Sequence, residues 1–281
     1  MSQRVTANKS AKEIAFLQDL FVAPDWGERF AELIDEHVPL PEKGRALYLA
    51  VGTGGHALAL QERAGAGLKF LCIDENEECL ELARAKATAL EGPAEFRQGI
   101  VDALQLQDDQ FDLVIGDGSL VAPERVPSVL LEMVRVVVPG GTVSLCLPTS
   151  SSFGEFFSIY WEALHNSGVN DHETDVESLI TKLPTISEVE EIAARKGLEA
   201  VTSWTRIEEF DYDSAEAFLD SPLISDFLMK SWLQSIPEEA QLRVTREIAR
   251  LINEERHHVE FSLTVKATLL LGRKVEIPLA G

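Results

Sequence analysis

Apolar residues follow two rhythms along this chain. Between residues 45 and 150, short apolar runs alternate with stretches of helical period. Ala46–Val51, Lys69–Ile73, Phe111–Ile115 and Thr142–Leu147 read as strands, and Ala94–Gln98 as a weaker one. Gly55–Arg63, Asn76–Leu90 and Ser128–Val136 read as the helices between them, the last leading through Pro139-Gly140-Gly141 into the fifth strand. Strands this apolar are buried on both faces, as in a parallel sheet covered by helices.

The flanks differ from this middle block. Residues 11–38 read as two helices, with Ile14, Leu17, Leu20 and Phe21 on one stripe and Phe30, Leu33, Ile34 and His37 on another. Pro24 and Gly27 punctuate between them, and Pro39 and Pro41 end the second. Beyond residue 150, Phe153–Asn166 and Ile186–Lys196 read as helices and Leu198–Phe210 as a sixth strand. Residues 214–256 are helical and acidic, with Ala240, Val244, Ile248, Leu251 and Ile252 on one face. Val259–Arg273 alternates at Phe261, Leu263, Val265 and Ala267 and closes the chain as a long strand. The helical stretch thus lies between the last two strands, as an insertion capping one end of the sheet. No internal repeat or low-complexity segment interrupts this order.

Charge narrows the partners. Lys and Arg number 25 against 47 Asp and Glu, a formal charge of −22. Such a surface repels phosphate backbones and anionic lipid, so nucleic acid and membrane are not expected as partners. No apolar run approaches the roughly 18 residues that cross a bilayer, and Met1–Lys12 lacks the apolar stretch of a secretory signal. Cys72, Cys79 and Cys146 are odd in number and lack metal-ligand spacing. Cys72 and Cys146 sit in apolar runs as small core residues, and a reducing cytoplasm is the simplest compartment.

The sharpest chemical signal is Gly52-Thr53-Gly54-Gly55, which follows an apolar strand and opens a helix. Glycines there let the backbone turn sharply and approach a ligand, and the helix N-terminus favours a polar or anionic group. Gly52-x-Gly54-x-x-Ala57 also satisfies the relaxed dinucleotide pattern. Asp74, at the end of the second strand, has the position and chemistry to accept both hydroxyls of a ribose. It is also a good N-cap, and Glu77 would complete a capping-box-like pattern. His56 follows the glycine loop, as a catalytic candidate or simply a polar residue in a first helical turn. Asp117, in Gly116-Asp117-Gly118-Ser119, sits where ligands approach an open α/β sheet, or stabilises its own turn. His165, His172, His257 and His258 carry no assigned role. Phe16, Phe21, Trp26, Phe153, Phe156, Phe157, Tyr160, Trp161 and Trp232 either pack helices on the sheet or line an apolar substrate pocket.

In its order of motifs the chain resembles the class I S-adenosylmethionine (SAM) dependent methyltransferases, in particular the small-molecule branch related to quinone-biosynthesis methyltransferases. Arg45 to His56 stands where that family has its glycine loop, and Ile73-Asp74-Glu75-Asn76 where it has the ribose acid. Phe111-Asp112-Leu113-Val114-Ile115 is similar to its fourth-strand motif, and Leu131 to Gly141 to its motif before the fifth strand. The resemblance implies a Rossmann-like, seven-stranded, mostly parallel sheet with helices on both faces and a reversed last strand. It implies a helical cap over 1–44, a SAM-binding core over 45–150 and a remainder, 151–281, that completes the sheet and carries the insertion 214–256. The cofactor contacts it implies are Tyr48, Ala50, Gly52, Thr53, Gly54, Gly55, Asp74, Glu75, Ile100, Val101 and Asp117, with SAM as methyl donor and S-adenosylhomocysteine as product.

Three positions depart from the family pattern. Tyr48 stands where the family has an acid that holds the methionine part of SAM, and Ala50 replaces its first glycine. Ile100 aligns with the Asp that binds the adenine amino group, unless the loop is two residues shorter and Asp102 serves. A lost polar contact costs about 0.5–1.5 kcal/mol, so two would weaken SAM binding roughly ten- to a hundredfold. The Tyr48 hydroxyl, which donates or accepts, is a ready substitute. The expected function is methyl transfer to a small apolar or aromatic molecule, driven by alignment and needing no dedicated base. A non-catalytic relative that uses the fold for binding or interaction is the rival, ahead of a nicotinamide oxidoreductase. The long last strand offers a sheet edge through which a homodimer would form.

Overall fold

The computed structural model describes residues 9–169, 173–255 and 260–276. Seven strands form one sheet in the order β3-β2-β1-β4-β5-β7-β6. They are β1 (Gly44–Leu49), β2 (Leu68–Asp74), β3 (Glu95–Gln98), β4 (Phe111–Asp117), β5 (Val137–Pro148), β6 (Leu198–Tyr212) and β7 (Phe261–Lys274). The first five run parallel, and β7 enters antiparallel between β5 and β6. Strand order reverses beside β1, so β1 and β4 diverge to opposite sides of the topological switch point, where open α/β sheets take ligands.

Alternation within the strands assigns the two faces. In β1, Ala46 and Tyr48 join one buried cluster while Leu47 and Leu49 join the other. The helices α3 (Gly55–Ala64) and α4 (Glu77–Ala89) cover the first face, and α5 (Val126–Val136) covers the second. Burial of both faces is the reason the strands carry so little polar pattern.

Residues 11–37 form a continuous helical run, not two helices with a break. α1 (Ala11–Leu17) passes through a π-helical segment (Gln18–Gly27) into α2 (Glu28–His37). Pro24 lies inside the π segment, and Gly27 has helical φ and ψ. The wider π turn accommodates a residue that has no N–H to donate. The buried side of this run is also shifted from the expected stripe. Ala15, Val22, Trp26, Phe30, Leu33 and Ile34 are buried, whereas Leu20 and Phe21 are about half exposed. The π segment rotates successive side chains away from a strict 3.6-residue register, which displaces the stripe.

The C-terminal part contains α6 (Gly154–Asn166), α7 (Glu173–Lys182) and α8 (Ile186–Arg195), of which α7 was not foreseen. Between β6 and β7 lie α9 (Ala215–Asp220), a π-helical turn (Leu223–Leu228), α10 (Met229–Trp232) and α11 (Glu238–Glu255). Phe218, Ile224, Trp232, Val244 and Ile248 from this insertion share one buried cluster with Leu113 and Ile115 of β4 and Leu263 and Val265 of β7. The insertion is therefore part of the core. Trp232 stacks on Phe156 at 4.2 Å between centroids, and the Tyr160 hydroxyl donates to its carbonyl at 3.1 Å. His172, His257, His258 and Val259 lie outside the described residues.

Candidate cofactor site

A cavity of about 750 Å³ opens at the C-terminal ends of β1, β2 and β4, beneath α2 and the π segment. Its floor is the turn from β1 into α3. Gly52 and Gly54 both have positive φ there, +54° and +77°. At Gly54 a Cβ would fall 2.7 Å from the Ala83 Cβ and 2.8 Å from the Phe96 ring, so the turn packs too closely on α4 and β3 for any side chain. Gly54 precedes α3 without supplying a side-chain cap. The first N–H groups of α3 are thus left without a side-chain acceptor at the cavity floor. Ala50 also lies in the left-handed region, at φ +54°, a conformation that costs an alanine about 1 kcal/mol.

Asp74 fixes this loop to the neighbouring strand. Its Oδ2 accepts from the Gly52 N–H at 2.8 Å and its Oδ1 from the Asn76 N–H at 2.9 Å. It does not cap α4, because Asn76 does so by accepting from the N–H groups of Glu78 and Cys79. Burial pushes the Asp74 carboxyl up, against the Asn76 and Gly52 amides that favour its charge. The carboxylate has about four acceptor sites against the amides of Gly52, Asn76 and Glu75, so Asp74, which lines the cavity, keeps acceptor capacity.

The next residues divide. Val101 is buried and lines the cavity, whereas Ile100 is 58% exposed and does not. Ile100 is therefore corrected as a wall residue: the turn after β3 points it to solvent and its neighbour inward. Asp102 is not in the wall either. Its two oxygens accept from Arg125 Nε and Nη2 at 2.8 and 2.7 Å. Glu75 stands at the rim, accepting from the Val101 N–H at 3.1 Å and from the same guanidinium. Arg125 holds both carboxyls below their ordinary values.

The opposite wall comes from α2, β1, α3 and β4. The Tyr48 ring is buried, and its hydroxyl lies 2.9 Å from His56 Nδ1. His56 Nε2 lies 3.0 Å from Asp35 Oδ1, which also meets Arg63 at 2.9 Å. The His56 contact is the largest influence holding the Asp35 carboxyl below its ordinary value. Asp117 lines the cavity on this side and accepts from the Ser119 N–H at 2.9 Å, so the turn-stabilising bond and the cavity position coexist. Burial pushes its carboxyl up. Burial also raises the Tyr48 phenol far above its usual value, with the Asp117 charge adding to the effect.

The helical run closes the top. Asp19 accepts from the Thr53 hydroxyl at 2.5 Å and pairs with Lys86 of α4, whose ammonium also donates to the Thr53 carbonyl at 3.1 Å. Asp19, Asp35, Lys86 and Arg125 were not singled out from the sequence. Each acts across a long sequence separation, and charged residues on helix faces carry no local signature of such a contact. Of the expected contacts, the structure brings Tyr48, Ala50, Gly52, Thr53, Gly54, Gly55, Asp74, Glu75, Val101 and Asp117 to one cavity.

A second cavity of about 140 Å³ shares Ser119, Leu120, Val121, Ala122 and Phe227 with the first. Phe153, Phe157, Leu183 and Trp232 give it an apolar lining. No helix among the described residues is long and apolar enough to cross a membrane.

Comparison with known proteins agrees with this architecture. Residues 46–141 match a family described as a methyltransferase domain. The demethylmenaquinone methyltransferase of Bacillus cereus (strain ATCC 10987 / NRS 248) is 31% identical over 170 residues, covering 56% of this chain and 70% of that protein. The demethylmenaquinone methyltransferase of Lactococcus lactis subsp. lactis (strain IL1403) is 35% identical over 122 residues, covering 41% of this chain and 48% of that protein. The match thus spans about half the length of the Lactococcus protein. Among solved structures, the YcgJ protein of Bacillus subtilis superposes with a TM-score of 0.59 at 18% identity, over 89% of this chain and all of that one. With the glycine turn, the acid at the end of β2 and the reversed β7 in place, the chain belongs to the class I SAM-dependent methyltransferases.

Proposed function

We propose that this chain transfers a methyl group from SAM to a small apolar or aromatic acceptor. The observation that carries the reading is Asp74, a half-buried carboxylate that keeps acceptor capacity and lines an open cavity large enough for a cofactor. A ribose presents two adjacent hydroxyls, and Asp74 is built to accept from both. Gly52, Gly54 and Gly55 bring main chain to the cofactor, and Val101 gives its base an apolar contact. SAM supplies an electrophilic methyl on a sulfonium.

The residues of this chain then bind, orient and exclude water. The Asp19–Thr53–Lys86 bridge holds the helical run across the glycine turn, which shields the reacting centre. The second cavity suits an apolar ring through Phe153, Phe157 and Trp232, and the wall it shares with the first supports a place for that ring beside the cofactor. The relatives' activity on a demethylmenaquinone supports an aromatic acceptor of this kind. Residues 45–150 would hold the cofactor and 151–281 most of the acceptor.

The test is incubation with methyl-labelled SAM and a panel of apolar phenols and quinols, beginning with 1,4-dihydroxynaphthalene. Label should pass to an organic-extractable product. SAM binding with no transfer to any member of the panel would favour the rival reading, a binding protein on the same fold.

A further inference from the structure

Packing alone holds an apolar ring without fixing which way it faces, and a placed polar group is what orients it. Trp26, in the π segment, supplies such a group. It lines the first cavity and is 1% exposed, and its indole Nε1–H is buried with no hydrogen-bond acceptor among the described residues. Resting on the reading of these cavities as a methyl-acceptor site, we infer that the Trp26 N–H donates to an oxygen on the acceptor, so that the site selects an aromatic ring bearing a hydroxyl or carbonyl oxygen over a bare hydrocarbon ring.

An indole N–H donates only, and a donor left buried and unpaired carries its full desolvation cost. The neighbouring rings do not absorb that proton. Phe30, Phe153 and Phe210 lie 5.1, 6.2 and 5.4 Å from the Trp26 ring between centroids, tilted by 46°, 18° and 35°. An N–H aimed at an aromatic face needs the two rings near perpendicular, and none of these three is. The donor is thus desolvated before any ligand arrives. An oxygen set against it gains a hydrogen bond at no further desolvation cost to the protein, whereas a hydrocarbon ring leaves it unpaired.

The surroundings of Trp26 point to the acceptor. Trp26 stacks on Phe153, a wall of the second cavity. Phe153 precedes α6 with φ +64° and ψ 19°, a left-handed conformation that a bulky residue keeps only where its surroundings enforce it. Its N–H donates to the Thr264 carbonyl at 2.8 Å, and its ring meets Trp232 edge-on at 5.3 Å on top of the Trp26 contact. A ring fixed in this way seats Trp26 where the first cavity meets the second, beside Phe227, which lines both. Asp74 and Val101, proposed for the nucleoside, stand on the turns after β2 and β3 instead.

The experiment reads the indole N–H signals of the full chain by NMR, with isotope-labelled tryptophan, before and after saturation with S-adenosylhomocysteine. The chain has four tryptophans, and the signal missing from Trp26→Phe belongs to Trp26. That signal should move downfield on adding 1,4-dihydroxynaphthalene, kept reduced, and not on adding naphthalene, the same ring without oxygen. In calorimetry Trp26→Phe should bind the diol about tenfold more weakly, and naphthalene and S-adenosylhomocysteine as the wild type does. Replacing the Trp26 indole by benzothiophene keeps the bicyclic shape and removes only the donor, and it should give the same loss even if the smaller phenyl ring fails to fold. An unmoved signal with the diol bound would overturn the inference, as would equal weakening of both rings. A signal moved by S-adenosylhomocysteine alone would assign the donor to the cofactor and overturn it too. Failure of both rings to bind the wild type would instead overturn the aromatic-acceptor reading on which it rests.

Discussion

The two ends of the cavity are built by different means. The end proposed to take the nucleoside comes from consecutive βα turns, with Gly52 and Asn76 tied to Asp74 through their backbone N–H groups. The opposite wall joins side chains from α2, β1, α3 and β4. Backbone contacts demand particular residue types, because only glycine tolerates the close approach at Gly54 and only a short acceptor reaches the Gly52 amide. Side-chain contacts admit substitutes, provided the donors and acceptors still match. This is why position 48 can depart from the family pattern while Asp74 does not.

The contrast can be broken at the backbone-built end first. Gly54→Ala places a Cβ 2.7 Å from Ala83 in a left-handed residue, and should destabilise the fold by about 2–4 kcal/mol in denaturant unfolding. An unchanged midpoint would mean that the turn can relax away from α4. A smaller effect tests the rim, where Arg125 bridges Glu75 and Asp102. Both carboxyls titrate below their unfolded values, so their contribution is present above the ordinary carboxylate range of about pH 4 and is lost as pH falls through the lowered values. Arg125→Gln should shallow the acid limb of a stability–pH curve, and a parallel curve would show that the bridge is screened. Asp74 and Asp117 act with opposite sign: burial raises them, so their contribution declines as pH rises from the ordinary value through the folded one. The smallest change is Ala50→Gly, which should stabilise by about 0.5–1 kcal/mol by relieving the left-handed alanine, measurable as a slight rise in thermal midpoint.

The same distinction explains what the sequence discloses. The parallel core was legible because its strands are apolar on both faces and its glycine turn and Asp74 lie in local motifs. β7 was legible as a strand from its alternation, and its reversal from the family resemblance. Pro24 misled because a π-helical segment accommodates it, and the same segment moved Leu20 and Phe21 to the surface. Ile100 misled because one residue of rotation in the loop after β3 puts Val101 inward instead. Asp35, Asp19, Lys86 and Arg125 left no trace in the sequence, since their partners are up to 67 positions away and charged helix residues ordinarily face solvent.

The most direct test of the central claim is calorimetric titration of SAM into the wild type and into Asp74→Ala, with thermal unfolding of the variant as a check that it folds. The cavity should bind SAM in the micromolar range, and a folded Asp74→Ala should bind it at least tenfold more weakly, since a charge-assisted pair of contacts to the ribose is lost. No heat of binding to the wild type at millimolar SAM, or equal affinity in the folded variant, would contradict the account.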